Sequence, residues 1–232
     1  MTSESNAAPT PEEVLPRLGP LVREKIIIDD RAFVLQRPQQ SDRLLENPAI
    51  FEAFDRDQYI PYWADLWPAA RMLAKAILRE TWTPGQAALE VGCGLGLPGI
   101  AALAAGLRVT FSDYDPCALR FAGDNARLNG FEDFRTLSLD WRYPPPDLRV
   151  PILLASDLSY ELRNVEPIVS FIKQVLLPGG LCLLTDQDRT SAFVLRETLE
   201  RQDLTFTTRL MRAGEPGGRR LKGTLYRITQ AA

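Results

Sequence analysis

Histidine is absent from the 232 residues. That removes the commonest side-chain base near neutral pH and the commonest zinc ligand together, so mechanisms that need an imidazole are excluded. Cysteine is scarce: Cys93, Cys117 and Cys182 show no C-x-x-C spacing and sit in apolar or helical contexts. They read as buried thiols of a reducing compartment, which makes cytoplasmic residence the expectation. No run approaches the ~20 apolar residues of a membrane span, and the polar opening Met1-Thr2-Ser3-Glu4-Ser5-Asn6 lacks the basic and apolar regions of a signal peptide. A soluble, unexported protein with no membrane partner is expected. Surplus positive charge is missing too: the net charge is −3, so nothing draws polyphosphate globally and a nucleic-acid partner is not expected.

What is present is enough apolar material, 45% of the chain, to bury one full core with an extension. Residues 1–20, with Pro9, Pro11, Pro16 and Pro20 among acids and small residues, read as a flexible tail. Residues 21–80 read as a hairpin and helices packing on the core. Within them Lys25–Ile28 and Ala32–Leu35 flank a turn, Ser41–Asp57 has helical apolar spacing, and a stronger helix begins at Pro68. Residues 81–232 form the core. Strands are predicted at Ala88–Val91, Arg108–Ser112, Phe134–Leu139, Ile152–Ser156, Leu181–Thr185, Thr205–Met211 and Thr224–Thr229, with helices at about 98–105, 116–128, 164–176 and 190–202. Gly106, Gly130 and Gly179-Gly180 each fall where a left-handed residue closes a helix. The alternation specifies an α/β, Rossmann-like seven-stranded sheet, mostly parallel, with helices on both faces. The last two strands have no helix between them and should close as an antiparallel hairpin across Gly214-Glu215-Pro216-Gly217-Gly218. This hairpin carries Arg209, Arg212, Arg219, Arg220, Lys222 and Arg227 against Glu215 alone, a positive edge or a solvated face.

The most specific stretch is Leu89-Glu90-Val91-Gly92-Cys93-Gly94-Leu95-Gly96-Leu97-Pro98-Gly99, a buried strand breaking into alternating glycines before a helix. Such a loop lets backbone approach a ligand and aims helix amides at it. Gly92, Gly94 and Gly96 read G-x-G-x-G after the acid Glu90, and this resembles the glycine loop of S-adenosylmethionine-dependent methyltransferases of the Rossmann-like class. Ligands of open parallel sheets bind beyond the strand carboxyl ends, which directs attention to the other strand-end loops. In Ser112-Asp113-Tyr114-Asp115-Pro116, Asp113 lies 21 residues beyond Gly92 and can accept both ribose hydroxyls; Asp115 reads equally as a helix N-cap. Asp140 can accept from an adenine amino group, with Trp141 either packed on the base or part of the core. The fourth loop runs Ser156-Asp157-Leu158-Ser159-Tyr160, a carboxylate and a phenol at the mouth of the site.

Together Leu66-Trp67-Pro68-Ala69-Ala70, Leu89–Ile100, Asp113–Pro116, Asn125 with Asn129, Leu139-Asp140-Trp141 and Ala155–Tyr160 resemble the seven-strand lysine methyltransferases of methyltransferase family 16. Pro61-Tyr62-Trp63 is most similar to the branch that modifies the electron-transfer flavoprotein β subunit. The resemblance implies S-adenosylmethionine as cofactor, S-adenosylhomocysteine as product, no metal, and a protein substrate bearing the target lysine. It also implies a D-x-x-Y pair, Asp157 and Tyr160, at the acceptor channel, with Trp67 closing over the methionine part of the cofactor unless it is a core aromatic. The cofactor-binding set is then Trp67, Glu90, Gly92, Gly94, Gly96, Asp113, Tyr114, Asp140, Trp141 and Ser156. Asp157 can orient an amine and offset the charge that forms on nitrogen, and water can take the proton, so the missing histidine is no obstacle. The polar Ser159 predicts a wetter channel than an apolar residue would give. A small amine as acceptor, or a non-catalytic binding module, are the competing readings. Amino-group nucleic-acid methylation would call for an Asn/Asp-Pro-Pro-aromatic loop in place of Asp157–Tyr160.

Overall fold

The computed structural model describes residues 8–188, 191–214 and 220–230. Its centre is a seven-stranded sheet, and the strands form because short apolar runs alternate between two covered faces. The strands are β3 (Ala87–Val91), β4 (Arg108–Asp113), β5 (Arg135–Ser138), β6 (Val150–Ser156), β7 (Leu176–Asp186), β8 (Thr205–Ala213) and β9 (Leu221–Thr229). Their spatial order is β5-β4-β3-β6-β7-β9-β8, parallel from β5 to β7 and antiparallel across β7–β9 and β9–β8. Ala88, Val109, Phe111, Ile152, Leu154 and Leu183 point into one core. Their neighbours Leu89, Val91, Leu153, Ala155, Cys182 and Leu184 point into the other. That period of two is the pleat.

The first core is covered by α3 (Pro68–Arg79), α4 (Leu97–Ala104) and α5 (Pro116–Leu128), and the second by α6 (Leu162–Val175) and α7 (Ser191–Arg201). Strand order reverses at β3, between β4 and β6, so a crevice opens above the carboxyl end of β3. The antiparallel hairpin, the seven strands and helices on both faces agree with the expected architecture, with strand limits shifted by a few residues. The turn expected at Gly214–Gly218 lies, from Glu215 on, outside the described residues.

The N-terminal hairpin, β1 (Leu21–Ile28) with β2 (Arg31–Pro38), is a separate two-stranded sheet. It buries Ile26, Ile28, Phe33 and Leu35 in the first core. Asn125 of α5 and Asn129, its C-cap, act on it as a surrogate strand edge. Asn129 accepts from the Val34 amide at 2.9 Å and donates to the Val34 carbonyl at 2.7 Å. Asn125 accepts from the Gln36 amide at 2.7 Å and donates to the Leu95 carbonyl at 3.0 Å. The second bond ties the hairpin to the glycine loop.

Three local expectations change. Within the stretch read as a tail, Pro11–Val14 forms the short helix α1, and Val14 and Leu18 are buried against the core. The continuous helix expected over Ser41–Asp57 is broken, because Pro48 disfavours a helical Asn47. A 3₁₀ turn over Ser41–Glu46 precedes α2 (Pro48–Asp57), which Asn47 caps by accepting from the Ala49 amide at 3.0 Å. Gly179-Gly180 does not close a helix, since α6 ends at Val175 and β7 begins at Leu176. Gly179, at φ +72°, lies within an irregular stretch of β7 where the register to β6 shifts.

Candidate active site

A cavity of about 500 Å³ occupies the crevice, within the roughly 300–1,000 Å³ usual for small-ligand sites. Gly92–Pro98, Asp113–Asp115, Asp140–Arg142, Ser156–Leu158, Tyr160 and the Tyr62–Trp67 segment all contribute to its wall. Thus Trp67, Gly92, Gly94, Gly96, Asp113, Tyr114, Asp140, Trp141, Ser156, Asp157 and Tyr160, predicted separately, converge on one space. Glu90 does not line it.

The glycine loop turns where side chains do not fit. Gly96 sits at φ +81° as the N-cap of α4, and a Cβ there would lie 2.9 Å from that of Ala122. Beneath the loop, Glu90 is buried and accepts from the Gly99 amide at 3.0 Å. It braces the start of α4 from below. The apolar surroundings hold its carboxyl well above the usual carboxylate range, despite that amide and with Asp113 adding repulsion. Glu90 Oε1 is buried without a hydrogen-bond partner among the described residues, as a protonated carboxyl tolerates better than an ionised one.

Asp113, at the end of β4, accepts from the Gly94 amide at 3.1 Å and from the Asp115 amide at 3.1 Å. Burial and the neighbouring Asp115 push its carboxyl up to about 7, against the pull of those amides. Asp115 caps α5 by accepting from the Cys117 amide at 2.7 Å and also accepts from the Tyr59 hydroxyl. The N-cap reading of Asp115 therefore describes its bonding. Tyr59 stacks edge-on to Tyr114 at 6.0 Å.

Asp140 is held by Arg142, which donates from Nε at 2.9 Å and from Nη2 at 2.7 Å. Most of its acceptor capacity is engaged by that guanidinium, so an adenine amino group would compete with it. Trp141 is both things at once, packed against the second core and present on the cavity wall.

On the far side, Asp157 adopts a left-handed φ of +56° and anchors its amide to the Thr185 carbonyl at 2.8 Å. Its Oδ2 accepts from Gln187 Nε2 at 2.6 Å. Tyr160 stacks edge-on to Tyr62 at 5.1 Å, and Tyr62 to Trp67 at 5.9 Å. Trp67 Nε1 donates to the Tyr62 carbonyl at 2.8 Å. Burial, with Glu161 adding to it, raises the Tyr160 phenol, so it keeps its proton at neutral pH. Ser159 overturns the expectation of a wetter channel: it is fully buried and donates to Asp186 Oδ2 at 2.6 Å, away from the cavity wall.

Sequence reasoning missed four contributors: Tyr62, Tyr59, Arg142 and Gln187. Tyr62 lies in the Pro61-Tyr62-Trp63 stretch that carries the family resemblance, with no role of its own, and Tyr59 lies two residues before that stretch. Arg142 and Gln187 carry no motif; only the fold brings Gln187 to Asp157. Among the described residues, no group of three or more Cys, Asp or Glu is arranged to hold a metal ion.

A family model described as lysine methyltransferase matches residues 62–212. Histone-arginine methyltransferase METTL23 of Rattus norvegicus is 31% identical over 121 residues, 49% of this chain and 54% of that protein. Ribosomal protein L11 methyltransferase of Marinobacter nauticus is 39% identical over 104 residues, 44% of this chain and 33% of that protein. The chain thus spans about half the length of the former and a third of the latter. Among solved structures, a ribosomal protein L11 methylase from Lactobacillus delbrueckii superposes with a TM-score of 0.58 at 19% identity, covering 71% of this chain and 79% of that one. N-methyltransferase NodS from Bradyrhizobium japonicum, in complex with S-adenosylhomocysteine, superposes with a TM-score of 0.56 at 16% identity, covering 78% and 99%. These similarities show a shared fold.

Proposed function

The chain belongs to the lysine methyltransferase family, and from that premise we propose that it transfers methyl groups from S-adenosylmethionine to the side-chain amine of lysine in a protein substrate. The observation that carries the proposal is the convergence on one cavity of a glycine loop backed by Asp113 with the Asp157–Tyr160 pair. The donor set fits the cofactor. A helix N-terminus suits its carboxylate, a strand-end acid suits ribose hydroxyls, and Tyr114 and Trp141 supply ring faces for adenine. Bound there, S-adenosylmethionine supplies an electrophilic methyl group on a positively charged sulfur.

The chain's own residues then have definite tasks. Asp113 in its ionised form accepts from the ribose, and its fixed backbone bonds keep both oxygens aimed. Asp157 accepts a hydrogen bond from the amine, orients its lone pair and offsets the positive charge that develops on nitrogen. Tyr62, Trp67 and Tyr160 wall the acceptor channel and exclude water, which strengthens that electrostatic contact. The amine proton leaves to solvent.

The named relatives act on proteins, a histone and ribosomal protein L11, which supports a protein acceptor here. The family description, lysine methyltransferase, supports lysine as the acceptor residue, and Gln187, donating to Oδ2 of Asp157, holds that carboxylate in place for an amine hydrogen bond. Incubating the protein with methyl-labelled S-adenosylmethionine and a cell extract tests the reading. Label is expected in protein and, after hydrolysis, in methylated lysine. Label in methylarginine or methylhistidine would replace the acceptor, and label confined to small molecules would overturn the protein substrate.

A further inference from the structure

We propose that the exposed basic ribbon formed by the ends of β8 and β9 is a docking surface for an acidic segment of the protein substrate, a few residues from the methylated side chain. The inference rests on the protein-methyltransferase reading above and extends it to how the substrate is chosen. The first observation is positional. Asp186, the last residue of β7, pairs with Thr224 of β9. Because β9 runs antiparallel, Gly223, Lys222 and Leu221 continue past the carboxyl end of β7, about 10 Å at strand rise. There, among the described residues, they pair only with Met211, Arg212 and Ala213 of β8. The ribbon therefore projects on the side of the sheet where the cavity opens. The strand order places β9 two positions from β6, whose end carries Asp157, which is about 10 Å sideways.

The second observation is electrostatic. Arg212 and Lys222 are directly opposite in the register and both exposed. Arg220 is exposed just before β9. Among the described residues none of the three has an acid within ion-pair distance, in contrast to Arg227, which pairs with Glu80. Like charges placed opposite one another destabilise a strand pair, and an anionic partner would offset that cost. Leu210, 59% exposed, adds an apolar contact on the same face of β8 as Arg212.

The third observation is rigidity at the base. A Cβ on Gly223 would lie 2.4 Å from the Asp186 carbonyl oxygen and 2.7 Å from Met72 Sδ. The ribbon is thus rooted closely on β7 and α3. Lysines on an edge strand also guard against edge-to-edge pairing. That role explains charge on β8 but not the matching cation on β9. A net charge of −3 and so short a basic surface favour a protein segment over a nucleic-acid tract, whose binding grows with the number of phosphates contacted.

The test uses the full chain and a fluorescein-labelled peptide with one central lysine and glutamates three to five positions to either side, compared with its glutamine counterpart. The wild-type protein is expected to bind the glutamate peptide about tenfold more tightly, with the preference fading as salt rises. Arg212→Gln with Lys222→Gln is expected to remove the preference, and Arg212→Glu with Lys222→Glu to reverse it. Equal binding of the two peptides by the wild type overturns the proposal, as does a preference that survives both double variants. An oligonucleotide of equal charge that binds more tightly than the peptide, with the same dependence on Arg212 and Lys222, overturns the choice of partner. Calorimetry of S-adenosylmethionine on the same preparations reports separately on the methyltransferase reading and on folding. Where the cofactor binds all three proteins alike, the peptide preference alone decides the ribbon.

Discussion

On the half of the cavity proposed to hold the methyl donor, the backbone amides of Gly94 and Asp115 grip the two oxygens of Asp113, while Asp115 and Glu90 hold the first turns of α5 and α4. Most of these partners lie at the ends of β3 and β4 and in the first turns that follow, and Tyr59 reaches them from a distant segment by donating to Asp115. On the half proposed for the acceptor, Asp157 is held by Gln187 across 30 residues of sequence, and Tyr62, Trp67 and Tyr160 share its cavity wall as an edge-on aromatic group. The first half is a local backbone device that presents fixed dipoles. The second is assembled from distant segments largely by side-chain contacts, and it meets the glycine loop where Leu158 packs against Gly92. On the proposed function, such a division would let the fold keep its cofactor contacts while its acceptor contacts change, in line with relatives named for different protein substrates.

The comparison breaks most severely at Gly96. Gly96→Ala places a Cβ against Ala122 in a left-handed backbone, and about 2–4 kcal/mol of stability should be lost. Chemical denaturation measures that loss, and cofactor binding should disappear with it. An unchanged midpoint would show that the loop is not the rigid device described.

Next in size is Asp113→Asn, expected to weaken S-adenosylmethionine binding about 10–100-fold, the worth of charge-assisted hydrogen bonds. The pH dependence sharpens this. With its pKa raised to about 7, Asp113 is largely protonated at pH 6, and the ionised form is the better acceptor for ribose hydroxyls. Cofactor affinity should therefore rise with pH through about 7 and level off above it, with proton release on binding at lower pH. Titration calorimetry across pH 6–8 checks this, and Asp113→Asn should flatten the profile.

On the acceptor half, Tyr62→Ala should lower transfer about tenfold with little change in cofactor affinity, since it removes a channel wall and an edge-on aromatic partner worth ~1 kcal/mol. Tyr62→Phe should restore most of the rate. Equal losses of rate and cofactor affinity would merge the two halves.

The smallest effect is expected at Glu90. Its folded-state pKa stands well above 4.5 because of burial, so folding takes up a proton in the range between the unfolded and the folded value. Stability is then greatest below the unfolded pKa and falls as pH rises toward the folded value. Glu90→Gln keeps an acceptor for the Gly99 amide and removes this dependence. Its melting temperature should exceed that of the wild type by a few degrees at pH 8 and by less at pH 5.

Legibility in the sequence follows the same division. The strands that alternate between two cores, the glycine loop and Asp113 were readable because each is written in a few consecutive residues. Asn125 and Asn129 were noticed as a pair, yet their role as a surrogate strand edge for β2 needed the tertiary structure. Glu90 was assigned to the cavity on its position beside the glycines, and the pleat instead turns it beneath the loop. Ser159 was misread for a similar reason: the left-handed turn at Asp157 sends it to Asp186, inside the protein. Gln187 had no signal at all, because its meaning arises only where the end of β7 passes the end of β6.

The most direct test of the two-part site is Asp157→Ala, with S-adenosylmethionine affinity measured by calorimetry and methyl transfer measured on the same preparation. Affinity should stay within about twofold of the wild type while transfer falls by at least 10²–10³, the scale of losing one preorganised electrostatic contact to a developing charge. Transfer that persists near the wild-type rate, or affinity that collapses together with transfer, would contradict it.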